Sequence, residues 1–369
     1  MRLCLFTPVF LPDVGGAEVA LDALARQFQA KGHDVTVLAK GRPRALDVPY
    51  TLRWAPQPVM PHWFPERIGR TLRQLHAEKP FDLFFSNYTH PTGYAAIRVA
   101  KQVGRRVPVV IGSQGGDLYH SAKHRRQPHI WKRTVAALRE ADALVAISPH
   151  MEALMREIHP GARWIERIPN GVDPAEFAAP STRPSDFVDP RPFMLCLGNL
   201  GPMKGFDNAI RAYARVREQL GDMILVIVGS GPLDNQLRGL VKELGLGGQV
   251  LFMGHRGGND KRWFLQNCRF GLMPSIEEGL ALVSLEFMAS GKPLIVTTNP
   301  SFDGVCEDGE NALRLPPRDD EALSRAMVRM QEMDLQAMGA ASLRRVDAFA
   351  WPRVAERYLD LFERVLRKN

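Results

Sequence analysis

Two doubly wound α/β domains, each with a parallel sheet covered by helices on both faces, are what this sequence predicts. Three observations carry the expectation. Short strand-like apolar runs alternate with helical patterns of roughly 10–15 residues along almost the whole chain, the signature of parallel sheets. A proline-rich stretch, PAEFAAPSTRPSDFVDPRP (174–192), separates the alternation into two series. The length, 369 residues, suits two domains better than one or three.

The elements follow in order. RLCLF (2–6) reads as a first buried strand, followed by a glycine loop and a helix, AEVALDALARQFQAKG, that stops at Gly32. DVTVLA (34–39) is the second strand, and 82–85, 107–111, 143–147 and 164–168 continue the first series. The second series comprises FMLCLG from Phe193, then 223–229, 249–254, 270–275 and 292–298. Proline removes a donor and fixes φ, so neither a helix nor a central strand is expected to run through 174–192, and the domain boundary is expected there. The expected division is 1–175, a linker at 176–192, and a second domain at 193–352. A ligand cleft is expected between the carboxyl ends of the two sheets.

Several function classes are excluded. No run approaches the ~18 apolar residues of a spanning helix, and MRLCLFTPVF has no small-residue cleavage site. Cys4, Cys196, Cys268 and Cys306 form no CxxC pair, so a reducing cytoplasm is expected. The net charge is +8, with 24 Lys and Arg against 16 Asp and Glu in residues 1–180 and 24 against 24 thereafter. The densest basic stretch, HSAKHRRQPHIWKR (120–133), reads either as a solvated face or as attraction to an anionic surface. No zinc finger, RRM signature or helix-turn-helix accompanies it, so a nucleic-acid partner is not expected.

The chemistry concentrates in PSIEEGLALVSLEFMASGKPLIVTT (274–298). A strand ends at Pro274–Ser275, and Gly279 begins a turn into an apolar helix that stops at Gly291. Glu278 thus stands at a strand's carboxyl end, and Glu286 two turns along the helix. A carboxylate there can accept from two neighbouring hydroxyls, as sugars and riboses present, while the amides of Gly279, Leu280, Ala281 and Leu282 can hold a phosphate. Alternatively Glu278 merely caps the helix and Glu286 is solvated.

This segment resembles the retaining nucleotide-sugar glycosyltransferases of family 4, the group 1 glycosyl transferases. The family pattern is met at Ser275, Glu278, Gly279, Leu282, Leu285, Glu286, Met288, Ala289, Gly291 and Pro293, and departs at Leu280, Ala281 and Phe287. Further segments follow in the family's order: PDVGGAE (12–18), PNGVD (169–173), GNLGPMKGFDNAIRAY (198–213), VGSGP (228–232), 304–323 and FAWPRVAERYLDLFE (349–363). The resemblance implies a GT-B fold of two facing Rossmann-like domains, with a closing helix (353–369) crossing back to the first. It implies a donor site of Gly15, Gly16, Asn199, Lys204, Gly229, Glu278 to Leu282 and Glu286. Lys204 would meet the diphosphate, Glu286 the ribose, and Glu278, Lys204, Asp117 and Gln114 would surround the chemistry. The activity implied is transfer of a sugar from UDP or GDP to a glycan or glycolipid hydroxyl, in polysaccharide or lipopolysaccharide synthesis.

Two departures matter. Asn199 stands where the family usually has Arg, and Gln114 where many members have His, so a cation and a titratable group are missing. His120 and His124 follow closely. His120, Lys123, Arg125, Arg126, Lys132, Arg133 and Trp131 form an expected acceptor or membrane face at the cytoplasmic leaflet. With no Asp-x-Asp triplet, neither a metal nor another cofactor is expected. The competing readings are a sugar-nucleotide epimerase or phosphorylase of the same fold, a non-catalytic nucleotide-sugar-binding subunit, and an oxidoreductase. The last is disfavoured because GGAE is not GxGxxG and Ala39 replaces an acidic ribose ligand.

Overall fold

A computed structural model describes the chain except for residues 13–14, 57–63, 105, 121–122, 281 and 369; at 64, 123 and 124 the backbone alone is described. Thirteen strands are present among the described residues, two more than the sequence reading expects. The first sheet contains β1 (Arg2–Thr7), β2 (Asp34–Lys40), β3 (Thr51–Ala55), β4 (Leu83–Ser86), β5 (Val109–Ser113), β6 (Ala143–Ala146) and β7 (Ile165–Arg167). The second contains β8 (Phe193–Leu197), β9 (Ile224–Val228), β10 (Val250–Phe252), β11 (Gly271–Met273), β12 (Leu294–Thr297) and β13 (Ala312–Leu315).

Every pairing is parallel, in the orders β3-β2-β1-β4-β5-β6-β7 and β10-β9-β8-β11-β12-β13. The direction of winding therefore reverses between β1 and β4 and again between β8 and β11. At such switch points the loops beyond the carboxyl ends part to opposite faces, and doubly wound sheets take their ligands there. The two unexpected strands, β3 and β13, lie at sheet edges. β3 alternates exposed and partly buried residues, whereas β8 and β9 are buried at every position. An edge strand needs no continuous apolar run, so its signal is weak.

The chain divides into two compact units, Met1–Asn170 with Trp351–Asn369, and Gly171–Ala350. The terminal helix Trp351–Lys368 buries Trp351, Val354, Ala355, Tyr358, Leu361, Phe362 and Val365, a stripe at helical spacing. It lies on the helix Gly16–Ala30, where Tyr358 and Phe362 meet Phe28 edge-on with ring centroids 6.3 and 5.7 Å apart.

The stretch expected as a linker, 176–192, is part of the second unit. Phe187 is buried against Phe193, Trp263 and Phe264, with centroids 5.1–5.6 Å apart. Gln266 Nε2 donates to the carbonyls of Phe177 (2.7 Å) and Ala179 (2.8 Å). The prolines exclude regular structure over most of this stretch without making it a free connector: one aromatic anchor and a few hydrogen bonds fasten it down. Contrary to the expectation of no helix here, Pro174–Ala178 is helical at the start of this stretch; its proline sits in the first turn, where no backbone donor is needed, and Asp173 caps it.

All four cysteines are free and buried. Burial pushes the Cys268 and Cys306 thiols up to about 12, and those of Cys4 and Cys196 higher still. Among the described residues no helix is long and apolar enough to cross a membrane.

Candidate functional site

In the second unit three loops beyond the carboxyl ends of β8, β9 and β11 are stitched together. Leu200 N donates to Ser230 O (3.0 Å), Leu233 N to Leu200 O (3.0 Å) and Ile276 N to Met203 O (2.8 Å). Glycine makes two of these approaches possible. Gly229 has φ +152° and Gly205 φ +67°; a Cβ at the first would run into the Gly198 carbonyl oxygen, and at the second into that of Pro274. Gly229, expected to touch a donor, is thereby shown to have a packing duty.

This stitching brings Lys204 to Glu278, and the two form an ion pair. Ser275 Oγ donates to the same carboxylate oxygen (3.0 Å), and Ser301 Oγ to the Glu278 main-chain carbonyl. Thr297 Oγ1 donates to Ser275 O (2.7 Å), which fixes the end of β11 against β12. Glu278 is held from both ends, with its side chain 9% exposed, while that of Lys204 is 29% exposed. The ammonium therefore remains reachable from solvent. A group with three donors, one of them on Glu278, can still meet an anion.

Glu286 lies on the helix Leu282–Ala289. Its Oε1 accepts from Lys261 Nζ at 2.8 Å, and its Oε2 is buried without a partner among the described residues. Lys261 belongs to the first turn of the helix Gly258–Asn267, and its ammonium lies 5.4 Å from the Phe177 ring centroid. Asn199 is exposed; Gly279 and Leu280 are buried and Leu282 partly so. Ala281 lies outside the described residues.

The first unit presents a different arrangement. Gly15 precedes the helix Gly16–Ala30 in extended conformation, and the buried Glu18 folds back over it so closely that any side chain at 15 would strike its carboxylate. Gly16 is exposed. Asp117 is 1% exposed, with every contact internal: Thr89 N (2.8 Å) and Thr89 Oγ1 (2.6 Å) donate to Oδ2, and Ser113 Oγ (2.5 Å) to Oδ1. It ties the loop after β4 to the end of β5. Beside it, burial first and then the Glu18 and Asp117 carboxylates push the Tyr88 hydroxyl well above its ordinary range. Gln114 Oε1 accepts from Asn170 Nδ2 (3.0 Å).

The basic stretch is partly spent on protein. Arg125 pairs with Glu157 (3.4 Å) and lies over Trp131, 4.7 Å from its ring centroid; His120 pairs with the same Glu157 (3.2 Å). Arg133 pairs with Glu66 (3.3 Å). Arg126 and Lys132 are exposed and have no carboxylate partner among the described residues, and the side chains of Lys123 and His124 lie outside them. No trio of His, Cys, Asp or Glu converges as a metal ion requires among the described residues.

The sequence reading missed Lys261, Thr89, Tyr88 and Glu18. NDKRWF reads as the charged start of a helix, and nothing in its spacing announces a partner 25 residues on. Glu18 was visible within GGAE, where a carboxylate three residues after a helix cap is a known folding-back signal.

Residues 14–176 match the family described as Glycosyltransferase Family 4, and residues 180–340 that described as Glycosyl transferases group 1. The mannosylfructose-phosphate synthase of Agrobacterium fabrum is 28% identical over 244 residues, 61% of this chain and about half (53%) of that enzyme. A GDP-mannose-dependent alpha-(1-6)-phosphatidylinositol monomannoside mannosyltransferase of Mycobacterium tuberculosis is 25% identical over 372 residues, 95% of this chain and 88% of its own. Among solved structures, the sucrose-phosphate synthase of Thermosynechococcus elongatus superposes over 100% of both chains with a TM-score of 0.83 at 20% identity.

Proposed function

This chain belongs to the family 4, group 1 glycosyltransferases and has their GT-B fold, and on that premise we propose that it moves a hexosyl group from UDP or GDP to a hydroxyl of a glycan or lipid-linked acceptor, with retention at the anomeric carbon. The observation that supports this best is the Lys204–Glu278–Ser275 cluster at the β8/β11 switch point. Lys204 is a half-reachable cation beside a carboxylate fixed in position, which suits a site that receives a diphosphate and a sugar together.

In this reading the donor's diphosphate takes Lys204 as its counter-ion, and Glu278, held by Ser275 and Ser301, faces the transferred group. The bond from the anomeric carbon to the phosphate oxygen breaks, and the acceptor oxygen bonds to that carbon on the same face. The acceptor's proton passes to the departing diphosphate. Gln114 has no proton to exchange, so a route that uses the leaving group as base suits this chain. Asn199 brings no second cation, which leaves Lys204 as the principal charge on that loop. The sequence holds no Asp-x-Asp triplet, and transfer without a divalent cation follows in this reading.

The mannosyltransferase relative supports the GDP alternative and a lipid-linked acceptor by its name alone. Synthesis of cell-surface polysaccharide or lipopolysaccharide is the setting this would serve, with Arg126 and Lys132 available to an anionic leaflet. The test is product analysis with a panel of UDP- and GDP-hexoses and lipid-linked acceptors, in EDTA. An α-linked product from an α-linked donor supports the reading, and inversion or absolute dependence on added Mn²⁺ or Mg²⁺ contradicts it.

A further inference from the structure

Lys261 lies on the helix that follows β10, and Glu286 on the one that follows β11, and each helix starts at the carboxyl edge of the second sheet. Between them they leave an uneven set of hydrogen-bonding capacities. Glu286 Oε1 is filled by Lys261 Nζ at 2.8 Å, while Oε2 is buried and has no partner among the described residues. A buried carboxylate oxygen without a donor is costly to keep, so it marks a place where a ligand's donor completes the protein. Lys261 is the complement: its ammonium carries three protons, its hydrogen bond to Glu286 uses one, and its side chain is 25% exposed. The Phe177 ring on one side keeps the ammonium near Glu286.

We propose that Lys261 is a specificity-determining residue of the donor site, reading the ribose diol together with Glu286: one hydroxyl donates to Glu286 Oε2 and its neighbour accepts from Lys261 Nζ. This deepens the functional reading above and rests on it. A carboxylate alone would offer two acceptors to the diol; here the pair offers one acceptor and one donor. Two adjacent hydroxyls satisfy both; removing one leaves Glu286 Oε2 without a donor, and removing the other leaves Lys261 with a proton unused. Lys261 also fixes the plane of the carboxylate, so its loss frees Glu286 to turn away.

The experiment compares UDP with 2′-deoxy-UDP, and GDP with 2′-deoxy-GDP, by calorimetric titration of the full chain. Wild type is expected to prefer the ribo form by roughly ten-fold, and Lys261→Met to reduce that preference to about two-fold. Lys261→Arg should keep it, because the cation remains. The readout is a ratio of two ligands on one protein sample, so a partial loss of fold cancels, and Lys261→Gln serves should the Met variant not fold. An unchanged ratio in Lys261→Met overturns the inference, since a lysine serving the phosphates would weaken both ligands equally. Wild type that binds neither UDP nor GDP overturns the functional reading and this inference with it.

Discussion

The carboxyl edges of the two sheets share one strand order yet treat their charged groups in opposite ways. At the edge of the first sheet, beyond β5, the carboxylate of Asp117 accepts from Thr89 and Ser113. At that of the second, Lys204 and Lys261 stay partly exposed, and Glu286 keeps a buried oxygen unfilled. The same topology thus yields a loop cluster that is finished by protein and another that a ligand would finish. A buried polar group satisfied on every side holds a fold together, whereas one left short of partners costs stability that binding can return.

That contrast can be broken at several points. The largest effect is expected from Gly229→Ala, which drives a Cβ into the Gly198 carbonyl at a positive φ. Strain and overpacking together should cost about 4 kcal/mol. Gly32→Ala in the first unit, also at positive φ but with nothing within 4 Å, should cost only about 1 kcal/mol. Denaturant titration of both variants checks this; equal losses would mean that the stitched loops are not close-packed.

Next in size is Asp117→Ala. It orphans Thr89 N, Thr89 Oγ1 and Ser113 Oγ, and should lower stability by about 2–3 kcal/mol while leaving nucleotide affinity within about two-fold. A large affinity loss with an unchanged melting temperature would make Asp117 a ligand-touching group after all.

The second unit should answer in the reverse sense. Lys204→Ala and Glu286→Ala should each weaken nucleotide-sugar binding by roughly 1–3 kcal/mol, with stability changed less than in Asp117→Ala.

The smallest effect belongs to the basic stretch. Arg125 and Arg133 are paired with Glu157 and Glu66, so Arg126 and Lys132 should carry most of any attraction to anionic liposomes, about 1 kcal/mol each. Sedimentation at low salt reads this: Arg126→Gln with Lys132→Gln should pellet less than wild type, and Arg125→Gln with Arg133→Gln nearly as much. Wild type left in the supernatant would remove the membrane from the account.

Where the sequence spoke clearly, one strong local pattern sufficed. Continuous apolar runs announced β8 and β9, and SxxEG followed by an apolar run announced the turn at Glu278 and the helix that carries Glu286. Where it was silent, the information lay in tertiary pairing. β13 depends on β12 beside it, and β3 on β2. Lys261 acquires meaning only from a partner on another helix, and the segment 176–192 is fastened by Phe187 and by Gln266, some 79 residues beyond Phe187. Proline content showed that this stretch is irregular; it could not show which unit it packs on. The duty of Asp117 was hidden for the same reason, since two of its three donors come from Thr89, 28 residues earlier.

Whether the second unit's edge is the one that reads the ligand is decided by a paired titration. UDP-glucose and GDP-mannose are titrated calorimetrically into wild type, Lys204→Ala and Asp117→Ala, with melting temperatures measured on the same samples. Lys204→Ala is expected to lose roughly ten-fold or more in affinity at a nearly unchanged melting temperature, and Asp117→Ala to show the reverse. Affinity that falls in Asp117→Ala and holds in Lys204→Ala would contradict that expectation.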